Sequence, residues 1–258
     1  MADVSEDIEK AARLLLEASH VLALVGAGMS VESEIPPFRG PGGLWTKYGE
    51  PDMRGYDRFI ADPKAWWESI TSRQGYARDL MEGIAQAKPN PGHYALAELE
   101  QMGVLKYIIT QNVDNLHYAA GSKHVAEIHG NIHKLRCISC GRRFERDEIS
   151  MEVIPPLCPQ CNGYIKTDGV MFGEPIPPDV LKRCEDETEK CDCMLLLGTS
   201  AQVYPAAAFP SFVRKRGGSL IEVNPYDTAL TGACHVVIRG QTGEALPLLV
   251  ERIRSLKG

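Results

Sequence analysis

The 258-residue chain is long enough for one large α/β domain, or for a large domain with a smaller companion. Hydrophobic residues make up 44% and charged residues 24%, which are ordinary globular values, and no apolar run approaches the roughly 20 residues that a membrane helix needs. A net charge of −6 argues against direct nucleic-acid binding, which requires a basic surface to neutralise phosphates. The opening segment, MADVSEDIEKAARLLLEA, is acidic and reads as neither a signal peptide nor a transit peptide, so a cytoplasmic protein is the expectation.

In chain order, residues 5–18 place Ile8, Ala11, Ala12, Leu15 and Leu16 at helical spacing. HVLALVGAGMS then shifts to a continuous apolar run ending in glycines, the pattern of a buried strand opening into a loop. Further strand-like runs follow at 104–110, 125–130, 193–200, 220–224 and 235–240. Helical stretches over roughly 90–102, 178–190, 205–216 and 243–256 separate most of them. Strands alternating with helices predict a doubly wound, parallel Rossmann-like sheet covered on both faces.

Two stretches break the alternation. Residues 41–89 are rich in Trp, Tyr, Arg and Pro and contain no strand pattern, whereas residues 131–168 hold two CxxC pairs. Both read as insertions that pack together as a small second domain. The body is then 1–40, 90–130 and 169–258, with 41–89 a helical module and 131–168 a zinc-ribbon module.

Gly26-Ala27-Gly28 follows the first strand, where glycine lets a backbone approach a pyrophosphate. The usual dinucleotide fingerprint has a third glycine three residues on, but Val31 stands there. On this motif alone, a cofactor turn and an ordinary tight turn both remain open. Cys137, Cys140, Cys158 and Cys161 are more specific: two knuckles separated by 17 residues suit one tetrahedral zinc ion. Four sulfurs close the coordination shell, so such a metal is structural; a redox dithiol and an iron–sulfur cluster are the rival readings. Cys184, Cys191, Cys193 and Cys234 are scattered and read as incidental thiols.

Taken together, the loops carry a resemblance. Gly26-Ala27-Gly28-Met29-Ser30 leads to Ser33-Glu34-Ile35-Pro36-Pro37-Phe38-Arg39-Gly40. Thr110-Gln111-Asn112-Val113-Asp114-Asn115-Leu116-His117 follows, then His129-Gly130 and the four cysteines. Val170-Met171-Phe172-Gly173-Glu174, Gly198-Thr199-Ser200 and Val223-Asn224-Pro225 complete the order. This set resembles the sirtuin family over about residues 5–250.

The resemblance implies an NAD-dependent protein-lysine deacylase that releases nicotinamide and O-acyl-ADP-ribose, with acylated lysines of proteins as substrates and one structural zinc ion. It implies His129 as general base, a role that suits imidazole because it titrates near working pH. Asn112 would hold the ribose and an ordered water, Asp114 the nicotinamide carboxamide and Gln111 the ribose hydroxyls. Gly26, Ala27, Gly28, Ser30 and Ile35 would line the cofactor site with Phe38, which covers the reactive carbon, and Arg39, which offers a fork of donors to phosphate. Gly198, Thr199, Ser200, Asn224 and Pro225 are expected at the phosphates and adenosine ribose. Val170 and Met171 match the segment whose backbone pairs with a substrate peptide, with Phe172, Gly173 and Glu174 beside it. His117 and His133 are expected to be structural.

Two departures stand out. Glu34 occupies a position usually held by glycine, and its side chain is expected to face solvent. Family members that prefer succinyl or malonyl lysine carry a Tyr and an Arg three residues apart; here an ungapped alignment puts Ile70 and Arg73 there, so acetyl is expected first. Two other readings are carried forward: an ADP-ribosyltransferase or NAD hydrolase using the same cofactor site, and a zinc-ribbon interaction module that senses NAD.

Overall fold

VLALV is apolar at every position, so both faces of the strand it forms must be covered. Successive side chains on a strand point to opposite faces. Val21, Ala23 and Val25 accordingly enter one core cluster, and Leu22 and Leu24 enter another. The computed structural model describes residues 4–72 and 75–258.

The strands are β1 (Val21–Val25), β2 (Leu105–Thr110), β3 (Val125–Glu127), β4 (Lys134–Cys137), β5 (Arg143–Glu145), β6 (Ile165–Thr167), β7 (Cys193–Leu197), β8 (Ser219–Val223) and β9 (Val236–Ile238). The helices are α1 (Val4–Glu17), α2 (Leu44–Tyr48), α3 (Gly55–Ala61), α4 (Pro63–Ser72), α5 (Gly75–Gln86) and α6 (Pro91–Gln101). They continue with α7 (Leu116–Ala119), α8 (Pro178–Lys190), α9 (Phe209–Lys215) and α10 (Thr242–Lys257).

Six parallel strands form a sheet in the order β3-β2-β1-β7-β8-β9. One face is covered by α1, α6 and α10, which bring Leu15, Leu99, Leu246 and Leu249 against Val21, Ala23 and Val25. The other is covered by α8 and α9, through Cys184, Phe209 and Val213. Truncating a fully buried residue such as Leu24 to alanine costs about 2–5 kcal/mol. This is the doubly wound sheet expected from the alternating pattern. No described helix is long and apolar enough to cross a membrane.

The two interruptions of the alternating pattern differ in kind. Residues 41–89 carry α2 to α5 and no described strand, and residues 131–168 carry a three-stranded antiparallel sheet in the order β5-β4-β6. They meet at Trp67 of α4, whose ring lies with Leu135, Phe144 and Ile165 in a shared cluster. Its indole Nε1 donates to the Ile165 carbonyl at 2.9 Å. A buried indole needs such an acceptor, and this one ties the helical insertion to the cysteine-bearing sheet.

Candidate active site

The strand order reverses between β1 and β7, and in open α/β sheets a crevice opens at such a switch beyond the carboxyl ends of the strands. Val25 pairs with Leu197, so the loop after each strand starts at the same level. Gly28 N donates to Gly198 O at 2.8 Å, and Gly26 N to Leu197 O at 2.9 Å. A β-carbon on Gly28 would lie 2.7 Å from Gly198 Cα, and one on Gly198 (φ +55) would lie 2.5 Å from Met29 N. Glycine is required here because two backbones touch. Beyond Gly26 the chain enters a 3-10 helix over Ala27–Ser33, and Val31 is exposed on it. Because the Val31 position faces outward, a side chain is accommodated there without a close backbone approach.

The Gln111–Asp114 run leaves the end of β2 beside this turn. Gln111 N donates to Val25 O at 2.9 Å, and its side-chain Nε2 donates to Thr199 Oγ1 at 2.9 Å. The buried Asn112 amide donates to Gly26 O at 3.1 Å and Ser30 Oγ at 3.0 Å. The Ser30 hydroxyl in turn donates to Asp114 Oδ2 at 2.7 Å. Asp114 Oδ1 accepts from Leu116 N at 3.0 Å, a local turn that leads into the short helix α7. Burial raises the Asp114 pKa, against the bonds from Leu116 and Ser30 that favour its charged form. The glycine turn, Ser30, Gln111, Asn112, Asp114 and Thr199 therefore form one connected polar wall.

His129 follows β3. Its Nδ1 lies 3.1 Å from Gln111 O. A carbonyl only accepts, so Nδ1 carries the proton and donates, which leaves the lone pair on Nε2. Burial holds the imidazole below its ordinary pKa, opposed by the bond to Gln111. At neutral pH the ring is uncharged and able to take up a proton. His117 is different: it is buried against His93 with ring centroids 5.0 Å apart, and burial pushes its pKa down to about 3.

Ile35 is buried with Ile84 and Leu116 under the same wall. Phe38 packs on Trp45 at 5.1 Å between centroids, and Trp45 meets Phe172 at 5.8 Å. The Arg39 guanidinium lies 4.2 Å over the Trp45 ring and has no carboxylate partner among the described residues. A guanidinium without a carboxylate partner keeps its donors available to a phosphate. Trp45 joins the cofactor-side loop to the 170–174 segment, and only its place in an aromatic-rich stretch hinted at this. Ser200 and Asn224 are part-buried, and Pro225 is exposed. The Asn224 side chain is engaged internally, accepting from Tyr226 N at 3.2 Å and donating to Thr199 O at 3.4 Å.

In the expected substrate segment, two N–H groups and one side chain are engaged within the chain. Val170 N is already donated to His129 O at 2.8 Å, and Met171 N to Glu174 Oε2 at 2.9 Å. Phe172 O accepts from Tyr56 N at 3.0 Å. The N–H groups of Val170 and Met171 are thus committed within the chain. The Glu174 side chain turns inward, into ion pairs with Arg136 at 2.5 Å and Lys166 at 3.1 Å. Sequence spacing does not specify that direction. Arg73 lies outside the described residues.

The sulfurs of Cys137, Cys140, Cys158 and Cys161 all lie within 4.8 Å of one another, with Cys137–Cys161 at 3.4 Å and Cys140–Cys158 at 3.8 Å. Zinc–sulfur bonds of about 2.3 Å in a tetrahedron place sulfurs roughly 3.8 Å apart, so the quartet fits a zinc ion. Gly141 (φ +73) and Asn162 (φ +59) provide the left-handed turn that closes each knuckle.

A connected polar wall at the switch point of an open parallel sheet, together with a four-thiolate cluster that fits zinc, is the arrangement of a dinucleotide-binding α/β protein with a structural metal site. A sequence model described as the Sir2 family matches residues 26–205. An NAD-dependent protein deacylase of Thermococcus kodakarensis is 44% identical over 252 residues, covering 95% of each chain. A solved Sir2 homolog–NAD complex aligns with a TM-score of 0.81 at 42% identity, covering 97% of this chain and 95% of the other. A Sir2–p53 peptide–NAD+ complex aligns with a TM-score of 0.78 at 32% identity, covering 95% and 97%. The chain belongs to the Sir2 family.

Proposed function

We propose that this protein is an NAD-dependent protein-lysine deacylase acting first on acetyl-lysine, with His129 as its general base. The observation that carries the reading is the His129–Gln111 bond, which fixes the tautomer, together with the burial that keeps the ring neutral. Gly26, Ala27, Gly28, Thr199, Ser200 and Arg39 hold the phosphates of NAD. Asn224 and Pro225 flank its adenosine ribose. Gln111 and Asn112 hold the reactive ribose, Asp114 and Ile35 border the nicotinamide, and Phe38 on Trp45 limits water access. When bound, NAD supplies an electrophilic ribose carbon with nicotinamide as leaving group. With NAD and acyl-lysine bound, Nε2 of His129 would take the proton of a ribose hydroxyl. The oxygen of that hydroxyl would bond to the acyl carbon while that carbon's bond to the lysine nitrogen breaks and frees the lysine as amine. Water would replace the acyl oxygen given to the ribose carbon.

The cofactor body comprises 1–40, 90–130 and 169–258, and the small domain comprises 41–89 with 131–168; peptide enters between them. The backbone of Val170 and Met171 pairs with the substrate peptide, and Phe172 walls the lysine tunnel. The zinc ion, held by four thiolates, is structural. Eight cysteines with no disulfide between them fit a reducing, cytoplasmic setting.

The NAD hydrolase and ADP-ribosyltransferase readings are not favoured, because neither accounts for the base that His129 provides; nor is the NAD sensor. The test is a panel of acetyl, propionyl and succinyl peptides followed by mass spectrometry. O-acetyl-ADP-ribose should form in equal amount to nicotinamide, and His129→Ala should lower turnover by about 10²–10⁴-fold with the fold intact. Nicotinamide release without acyl transfer would establish the hydrolase instead.

A further inference from the structure

Lys166 lies on β6 with its side chain wholly buried. Its ammonium donates to Thr167 O at 2.8 Å and Gly169 O at 2.6 Å, and pairs with Glu174 Oε2 at 3.1 Å. The other Glu174 oxygen takes Arg136 at 2.5 Å, and Arg136 Nε reaches Asp168 Oδ1 at 2.7 Å. Two buried cations thus face two buried carboxylates. Burial pushes the Lys166 pKa down to about 8, opposed chiefly by Glu174, so the ammonium stays charged at neutral pH.

A buried network of this kind is a poor source of stability, since well-packed apolar residues of similar volume often do as well. What apolar residues cannot supply is direction. Here the bonds converge on the backbone of one short segment. Lys166 holds the carbonyls of residues 167 and 169, and Glu174 holds the N–H of residue 171. Between them Val170 N donates to His129 O, and Asp168 O lies so close to Gly130 that only glycine fits.

We propose that Lys166, Glu174 and Arg136 are positioning residues: a charged latch that carries the placement of the cysteine-bearing sheet into the 169–174 segment and, through Val170, into the turn bearing His129. The latch touches neither cofactor nor reacting atoms. It sets where the acyl-lysine peptide docks relative to the base, and so rests on the deacylase reading for its functional meaning. The glycine turn lies on other elements, at Ala27–Ser33 and Gly198, so loss of the latch should disturb peptide binding more than NAD binding.

The test uses the full chain loaded with zinc and the variants Lys166→Met and Glu174→Gln. Hydrogen exchange at single-residue resolution should show faster exchange at the Val170 and Met171 amides, with β1 and β2 amides unchanged. The peptide KM should rise about 10-fold, and deacylation kcat should fall up to ~100-fold, the scale for a reacting group displaced by about 1 Å. The KM for NAD should stay within twofold. Should one variant fail to fold, the other carries the same expectations. Unchanged protection at Val170 and Met171, or peptide and NAD constants rising together, overturns the latch. Wild-type protein without turnover on any acyl-lysine peptide would instead defeat the deacylase reading, while the exchange measurement still decides the latch.

Discussion

Gly130→Ala tests whether the turn carrying His129 is held by contact with the cysteine-bearing insertion. Gly130 has φ +74, and a β-carbon there would sit 2.0 Å from the Asp168 carbonyl oxygen and 2.8 Å from its carbon. Real β-carbons essentially never approach closer than 3.0 Å, so the two backbones must part by at least 3.0 − 2.0 = 1.0 Å. The left-handed conformation costs a non-glycine residue about 1–2 kcal/mol. Loss of the Val170–His129 bond adds about 1 kcal/mol, for a total near 2–3 kcal/mol. At about 2–4 °C per kcal/mol for a chain of this size, Tm should fall by roughly 4–12 °C. Displacing the base by about 1 Å should reduce kcat about 100-fold. Gly103→Ala is the control: its φ is +72, and a β-carbon there meets nothing within 4 Å. Differential scanning calorimetry and steady-state kinetics on the two variants separate backbone strain from collision. If Gly130→Ala matches Gly103→Ala in both measurements, the contact does not hold the turn.

Zinc removal should expose Trp67, which shares its cluster with Cys137 and Cys158; a red shift of tryptophan emission should accompany loss of one zinc per chain by elemental analysis. Glu34 is exposed at φ +67, so Glu34→Gly should raise Tm by about 1–4 °C through relief of backbone strain, with nicotinamide inhibition unchanged. Burial, aided by Asp168 and Asp114 and opposed by Lys134 and Asn131, pushes the Glu127 pKa up from 4.5 to about 7. The folded state therefore binds more protons than the unfolded state between these values, and stability falls as pH rises across that window. Glu127→Gln should show a Tm advantage at pH 8 that disappears below pH 4.5. Because burial lowers the pKa of His129, the acid limb of kcat/KM should lie below the ordinary histidine value, as a pH–rate profile would reveal.

Much of the fold was legible because its signals are local. An all-apolar VLALV needs cover on both faces, and two CxxC pairs need one ion between them; neither depends on distant residues. The glycines of the first turn were legible as glycines, but the backbone they touch, at Gly198, is supplied by a strand far along the chain. Side-chain direction was the harder quantity. Glu174 stands in a segment associated with substrate, yet its carboxylate is drawn inward by Arg136 and Lys166, and no spacing rule pairs those three residues. Trp45 was hidden for the same reason, since its neighbours Phe38 and Phe172 are brought together only by the tertiary fold. At Glu34 the sequence marked an oddity and the backbone explains it: the position is left-handed, where glycine is the unstrained choice.

The pairing of the central strand has a consequence for how the chain acquires its structure during synthesis. Val21 pairs with Leu105 on one side and with Cys193 on the other. The nascent β1 strand therefore leaves the ribosome long before its second neighbour exists, with an apolar edge exposed in the interval. The cysteine-bearing sheet is complete by Thr167, before β7 has been made, and its contacts are close in sequence. Metal capture by that early unit would give the emerging polypeptide a folded anchor while the larger sheet still awaits its second half.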